Sequence, residues 1–390
     1  MTEYKRVDPN LIKDLKNFGI GDWNACFHCG NCTATCPLTE EQVLFPRKGI
    51  RTLQMGLKDK LAGSVEPWLC YYCGDCSKEC PRDANPGELM MSLRRYLTTV
   101  YDWTGISGKL YKSKALHIAV VTVIFFAIIA AFLIFARVPD LNSPEVASYL
   151  EGLGGAAKAA VPLNLFAPPN LISFLDHLQL ILLGLFLVTN IFNMYYKVVI
   201  KDKSLKIPLW LYIKELGVAL WNFVTQWRFS KCDRKTYWLS HWLMMSSYVI
   251  MFTFIIFFLD WFQTDKIHPL SHPQRLLGYY VTFGLIFATV YYFIGRYRKK
   301  EQIFKFSHHS DWIFIFLLFM IAVTGILIHL FRVNGMVTPT YVMYVLHLAF
   351  EVPMVFTFVA FSKWSHLAYR PFAIYLANLK KSAKARVAAV

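Results

Sequence analysis

Eight of the nine cysteines fall in two runs of identical spacing, Cys26-x2-Cys29-x2-Cys32-x3-Cys36-Pro37 and Cys70-x2-Cys73-x2-Cys76-x3-Cys80-Pro81. No other feature restricts the fold as much. Three thiolates on one tight loop can face three corners of an iron–sulfur cubane. The fourth follows a turn that aims it elsewhere, and the proline stops the chain from folding back. Gly30 and Gly74 follow the second Cys of each run, where the backbone needs room near sulfur. Zinc is the competing chemistry, but zinc sites usually draw two Cys from each of two loops. Four Cys in one run, twice, fit that poorly. Eight Cys within residues 26–80 are also too clustered to staple a chain of 390 residues with disulfides.

This spacing is that of two-cluster bacterial ferredoxins, in which the fourth Cys ligates the other cluster. The expected ligand sets are Cys26, Cys29 and Cys32 with Cys80, and Cys70, Cys73 and Cys76 with Cys36. Each set is expected to hold one [4Fe–4S] cluster. His28 reads as a solvated loop residue and Cys232 as an ordinary free thiol. Residues 1–114 form the expected cluster domain, with short helices at Lys48–Leu61 and Gly87–Val100. Met1 to Lys16 is charged and lacks the apolar core of a secretory signal, so this domain is expected in the cytoplasm.

From Ala115 the composition changes. The chain is 56% apolar and 17% charged, against about 45–50% and about 25% in soluble domains. Runs long enough to cross a bilayer are Ala115–Ala136, Leu171–Tyr195, Tyr237–Leu259, Leu276–Ile294, Trp312–Phe331 and Tyr341–Phe361. With six crossings and the N-terminus inside, 36 of the 41 Lys and Arg fall on the inner side and five on the outer. This positive-inside bias explains the net charge of +16 without nucleic acid and places both ends in the cytoplasm. Pro208–Phe229 is apolar but interrupted by Lys214, Glu215 and Arg228, and it reads as an amphipathic helix on the inner surface; a re-entrant seventh segment is the alternative. The expected fold is mainly α: a ferredoxin-like α-helical domain (1–114) followed by a six-helix transmembrane bundle (115–390).

The bundle carries histidines at two depths. His241 begins the third crossing and His366 ends the sixth, both near the inner face. Two neutral imidazoles at one depth on different helices suit bis-imidazole ligation of a haem. His347, six residues into the sixth crossing, lies too far from His366 to share a haem, about 28 Å along an ideal helix. Their angular mismatch on one helix calls for a kink, for which Pro353 is available. The partner of His347 is expected to be His329, with His177 close behind. His268 and His272 read as solvated, and His117, His308 and His309 as interfacial anchors. Glu351 is an intramembrane carboxylate and the candidate proton acceptor from a quinol. Lys363, Arg370, Arg332 and Arg275 are candidate partners of haem propionates. Gly152-Leu153-Gly154-Gly155 lacks the strand–helix setting of a dinucleotide site, so any flavin belongs on a partner chain.

Together these features resemble known arrangements. The Cys runs look like the small iron–sulfur subunit of heterodisulfide reductases. The membrane part, through Thr324-Gly325-Ile326-Leu327-Ile328-His329 and Ser362-Lys363-Trp364-Ser365-His366, is similar to dihaem cytochrome b subunits, including the gamma subunit of respiratory nitrate reductase. Their fusion resembles the C-subunit family of the quinone-interacting membrane-bound oxidoreductases (Qmo) of sulfate-reducing bacteria. That resemblance implies two b haems, menaquinol as donor and two flavin- and iron–sulfur-containing partner subunits. It also implies adenylylsulfate reductase as the acceptor and a bacterial cytoplasmic membrane as the location. One departure is evident: the nitrate reductase relative carries a second haem His about ten residues after the first, and here Met251 stands at that spacing from His241. An equivalent subunit of a heterodisulfide or sulfite-reduction complex is the alternative assignment, and a non-redox zinc-binding membrane anchor is a reading from another class.

Overall fold

The computed structural model describes residues 7–40, 43–153, 161–202 and 207–388. Residues 1–6 of the charged N-terminus and Gly154 and Gly155 of the glycine-rich loop lie outside them. The described residues are mainly helical and form no β-strand, only an isolated bridge between Glu40 and Val43.

Short helices frame the cysteines: α1 (Asn31–Thr35), α2 (Arg47–Gln54), α3 (Lys58–Ala62) and α4 (Asp75–Lys78). The helix expected over Lys48–Leu61 is two helices. Gly56 separates them with φ +62°, and a Cβ there would sit 2.6 Å from the Asp8 carbonyl oxygen, so the chain turns sharply beside residue 8. α5 (Pro86–Tyr101) starts on a proline in its first turn and supplies the core of this unit. Leu89, Met90, Leu93 and Leu97 bury completely against Leu11, Leu15, Ile50 and Leu53. Its polar residues are also buried but paired: Glu88 bonds Arg95 at 2.8 Å, and Arg94 donates to the Pro67 carbonyl at 2.6 Å.

Six helices are long and apolar enough to cross a membrane: α6 (Lys114–Phe135), α7 (Pro169–Tyr195, prolonged to Ile200 by a π-turn), α9 (Lys235–Phe257), α10 (Pro273–Arg298), α11 (His309–Val333) and α12 (Val337–Phe358). Packing runs as an arc, α9 on α10, α10 on α11, α11 on α12 and α12 on α6, while α7 touches α9 from the other side. α6 is apolar all round, as a lipid-facing helix must be.

One expectation changes here. Pro353 lies inside α12 without ending it; the helix stops at Phe358, and His366 opens a new helix, α13 (His366–Ala388), after a tight turn at Lys363–Ser365. The break places His366 on a different helix from His347. The segment expected as an amphipathic surface helix is α8 (Leu209–Thr225), which packs along α13. Glu215 and Asn222 turn inward: Glu215 accepts from Ser382 and Asn222 faces Tyr71. Leu209, Ile213, Leu220 and Trp221 are exposed on the opposite side.

Candidate redox centres

The two Cys runs repeat one backbone. Gly30 and Gly74 both cap their helices with left-handed φ, +91° and +90°, and the residue before the second Cys is left-handed in both, His28 at +63° and Tyr72 at +57°. A non-glycine residue held there costs of order 1–3 kcal/mol, and such strain clusters at ligand clamps. α1 and α4 pack on each other, and Asn31 donates to the Glu79 carbonyl at 2.5 Å, so the runs interlock. The thiols of the two runs lie close together and influence one another across the runs. Burial raises the Cys32 thiol, and Cys26, Cys29 and Cys80 raise it further. Burial raises Cys36 to about 12, and its thiol neighbours are Cys70 and Cys73. Cys76 is raised by burial and by Cys70, Cys73, Cys36 and Cys32. The thiolate is the metal ligand, so loading iron here would release the protons these thiols hold. Two four-thiol groups are the donor chemistry of two cubane clusters.

The two groups differ in exposure. Cys29 is exposed, whereas Cys70, Cys73 and Cys76 are buried. The buried group faces the helices. Tyr71 stacks on Phe229 at 4.6 Å, and Phe229 meets the His241 ring edge-on at 5.5 Å. Arg370, one turn after His366, lies 4.5 Å over Tyr71 and bonds the Cys70 carbonyl at 3.3 Å.

His241 and His366 face each other with ring centres 6.3 Å apart. A metal held at about 2 Å by each imidazole nitrogen implies roughly this spacing. The Nδ1 of His241 bonds the Gln226 side-chain oxygen at 2.9 Å, and that of His366 the Lys363 carbonyl at 2.5 Å. A carbonyl oxygen only accepts, so both rings carry hydrogen on Nδ1 and keep Nε2 free as a ligand. Burial and Arg370 hold His366 well below the ordinary imidazole range, which keeps it neutral. Beside the pair is a cavity of about 110 Å³, where Arg94 Nη2 and Arg370 Nε are buried without a hydrogen-bond partner among the described residues. Burial pulls Lys363, on the same wall, down to about 8 although Asp311 pairs with it. Unpaired guanidinium nitrogens beside two free imidazole nitrogens fit a metal macrocycle with acidic side groups.

A second cavity of about 530 Å³ lies further along the bundle, enclosed by α7, α9, α10, α11 and α12. His347, His329, Glu351 and Asp176 line it, with Arg275 and Arg332 at its far end. The Nε of each arginine is buried and unpartnered among the described residues. Gly325 gives His347 room, since a Cβ there would sit 3.2 Å from its ring. His177 does not line this cavity; its Nδ1 bonds the Ser173 carbonyl at 2.7 Å.

Three features escape the sequence reading. Cys232 is fully buried, and its sulfur lies within 4.8 Å of ligand atoms of Cys73 and Asp75. It is a free thiol, but a buried one set beside Cys73 rather than one in an open loop. Its position after a helix that folds back on the cluster domain is the signal that finds it. Gln226 is the second, invisible until its left-handed φ of +50° turns it towards His241. His117 is the third. Far from being an interfacial anchor, it is completely buried against His309 and Phe358, at 5.6 and 4.9 Å between ring centres.

Residues 22–84, which contain both Cys runs, match the 4Fe-4S dicluster domain family. The chain is similar to a protein of Archaeoglobus profundus that is itself like the C subunit of heterodisulfide reductase, 31% identical over 100 residues, or 25% of this chain and 53% of that protein. It is also similar to the C subunit of the H(2):CoB-CoM heterodisulfide,ferredoxin reductase of Methanothermobacter thermautotrophicus, 33% identical over 63 residues, or 16% of this chain and 34% of that protein. The match thus spans about half the length of the first relative, 53%, and a third of the second, 34%. No solved structure matches. The N-terminal unit is an iron–sulfur unit related to the C subunit of heterodisulfide reductase, and the chain that carries it has six potential membrane-crossing helices.

Proposed function

We propose that this chain is the membrane electron-transfer subunit of a quinone-linked oxidoreductase, oxidising menaquinol in the bundle and delivering electrons to flavoprotein partners. The observation that carries the reading is the direct packing of the buried Cys run on the His241–His366 pair through Tyr71, Phe229 and Arg370. Two [4Fe–4S] clusters and two b haems, once bound, supply one-electron stations between a two-electron quinol and a two-electron flavin. The chain's own residues do the rest. Cys26, Cys29, Cys32 and Cys80 hold one cluster, and Cys70, Cys73, Cys76 and Cys36 the other. His241 and His366 hold one haem and His347 supports the second. Arg94, Arg370, Arg275 and Arg332 neutralise propionates. Glu351, in the larger cavity with Asp176, takes a proton as quinol loses its two electrons and two protons. The exposed Cys29 end is the exit to two heterodisulfide-reductase-like subunits that carry flavin and iron–sulfur clusters.

The membrane is the bacterial cytoplasmic membrane, with both chain ends inside, and the downstream acceptor is adenylylsulfate reductase, as in sulfate respiration. A second reading keeps the wiring and ends at a heterodisulfide; the names of the matched relatives favour it. Co-purified subunits separate the two. The deciding experiment is anaerobic purification with iron and haem counted per chain, followed by reduction with a menaquinol analogue. About eight non-haem irons, four per cubane, and a Soret band that shifts on quinol addition are expected. Zinc in place of iron, with no Soret band, would leave only a membrane anchor.

A further inference from the structure

The His329 ring is occupied. Its Nε2 lies 3.2 Å from Arg275 Nη2 and 3.0 Å from the Tyr279 hydroxyl. Arginine only donates, so this nitrogen accepts and its lone pair is committed. His347 is the opposite case. The Thr324 hydroxyl spends its hydrogen on the Met320 carbonyl at 2.7 Å, so at 3.0 Å it accepts from His347 Nδ1. His347 Nε2 is therefore unprotonated, the state already found for His241 and His366.

What faces His347 across the cavity is set by α9. One stripe of this helix, Tyr237, His241, Met244, Tyr248, Met251 and Ile255, steps by four and three residues and lines first the smaller and then the larger cavity. Met251 is thus to the larger cavity what His241 is to the smaller. It lies ten residues, about 15 Å, further along α9. His347 lies eleven residues, about 16 Å, from the α12 terminus that leads to His366. The depths match. In the packing arc α10 and α11 stand between α9 and α12, and α9 and α12 both line the larger cavity, through Met251 and His347. A thioether is an established haem ligand opposite histidine.

We infer that the Met251 sulfur, with His347, forms the axial pair of the haem in the larger cavity, and that His329 with Arg275 and Tyr279 forms a hydrogen-bonding cluster beside it. The inference rests on the haem reading proposed above. His/Met ligation raises the potential of this haem above that of its bis-histidine neighbour.

The test uses the full chain purified in detergent, with haem counted per chain and ferric spectra recorded by near-infrared magnetic circular dichroism and EPR. The wild type should hold two haems and show one thioether-to-iron and one bis-imidazole charge-transfer band. Met251→Leu should remove the thioether band and turn one low-spin haem high-spin or lose it, leaving the other unchanged. Met251→His should restore a low-spin centre with a second bis-imidazole band and a lowered midpoint potential. His329→Gln should leave both bands in place. Two bis-imidazole haems in the wild type, with the His329 variant losing one, would overturn the assignment while leaving the electron-transfer role intact. A wild type without haem would remove the functional reading and this inference with it.

Discussion

Replacing Gly74 with alanine separates two penalties that share one residue. The first is backbone strain: Gly74 has φ +90°, and a left-handed residue with a side chain costs about 1–2 kcal/mol. The second is steric. The new Cβ would sit 2.6 Å from Ile303 Cγ2, a branch atom next to the backbone that cannot swing aside, and overpacking of this kind costs about 1–3 kcal/mol. Gly30 supplies the control. Its φ is +91°, but the nearest atom is the end of the Arg47 side chain at 3.4 Å, so Gly30→Ala pays only the backbone term. Gly74→Ala should therefore exceed Gly30→Ala by about 1–3 kcal/mol, roughly 5- to 150-fold in an equilibrium constant. Ile303→Ala should return most of the excess in the Gly74→Ala background and none in the Gly30→Ala background. The assay is bleaching of iron–sulfur absorption against denaturant in the full detergent-solubilised chain, with the double-mutant cycle read from midpoint shifts. Equal costs for the two glycines, or no rescue by Ile303→Ala, would refute the reasoning. Ile303 sits in the short helix Gln302–Lys305 between α10 and α11, so the excess also measures how firmly the cluster unit is seated on the bundle.

Other outcomes follow from single contacts. Gln226→Leu should leave the chain folded but weaken haem retention at His241 by about 10–100-fold, read by competition with apo-myoglobin, because His241 Nδ1 loses the acceptor that sets its tautomer. Cys232→Ala should keep the iron count unchanged, although the Cys232 sulfur lies within 4.8 Å of the Cys73 and Asp75 ligand atoms; a drop of four irons per chain, one cubane, would instead make Cys232 a ligand. Lys48→Met should reverse one pH dependence. Burial alone would raise the Glu66 carboxyl, but Lys48 lowers it below the ordinary range. In the wild type this pair stabilises the unit above the unfolded value of about pH 4.3, and the contribution fades as pH falls through the lowered folded value. Without Lys48 the folded value rises above the unfolded one. The variant should then lose stability on going from pH 4 to pH 7, measured as its midpoint difference from wild type at each pH.

Much of the architecture was legible because bilayers and cubanes impose strong local patterns. Apolar runs of about 20 residues located all six long helices, whose ends differ from the expected runs by a few residues because Pro169, Pro273 and the His308 cap start them earlier. The two Cys runs needed no tertiary information. What local pattern could not give is orientation. α8 buries Glu215 against α13 and Asn222 against Tyr71 and leaves Leu209, Ile213, Leu220 and Trp221 outside, and no moment read along the helix says which face meets protein. The turn at Lys363–Ser365 depends on packing of Trp364 into the bundle core, so a single long helix through His366 was the natural reading. The burial of His117 and the Cys232–Cys73 contact join residues distant in the chain, which spacing does not encode.

The uneven exposure of the thiols has a consequence for damage. Oxidants arriving from solvent meet Cys29 first, whereas Cys70, Cys73 and Cys76 are buried, with Tyr71 packed in one core cluster with Cys70 and Cys73 and Ile303 against Gly74. A loaded chain exposed to air should therefore age in a fixed sequence, its outer cubane failing before the buried one. Half-loaded material would be a sign of handling, and it would have lost its contact with the partner while keeping its contact with the membrane.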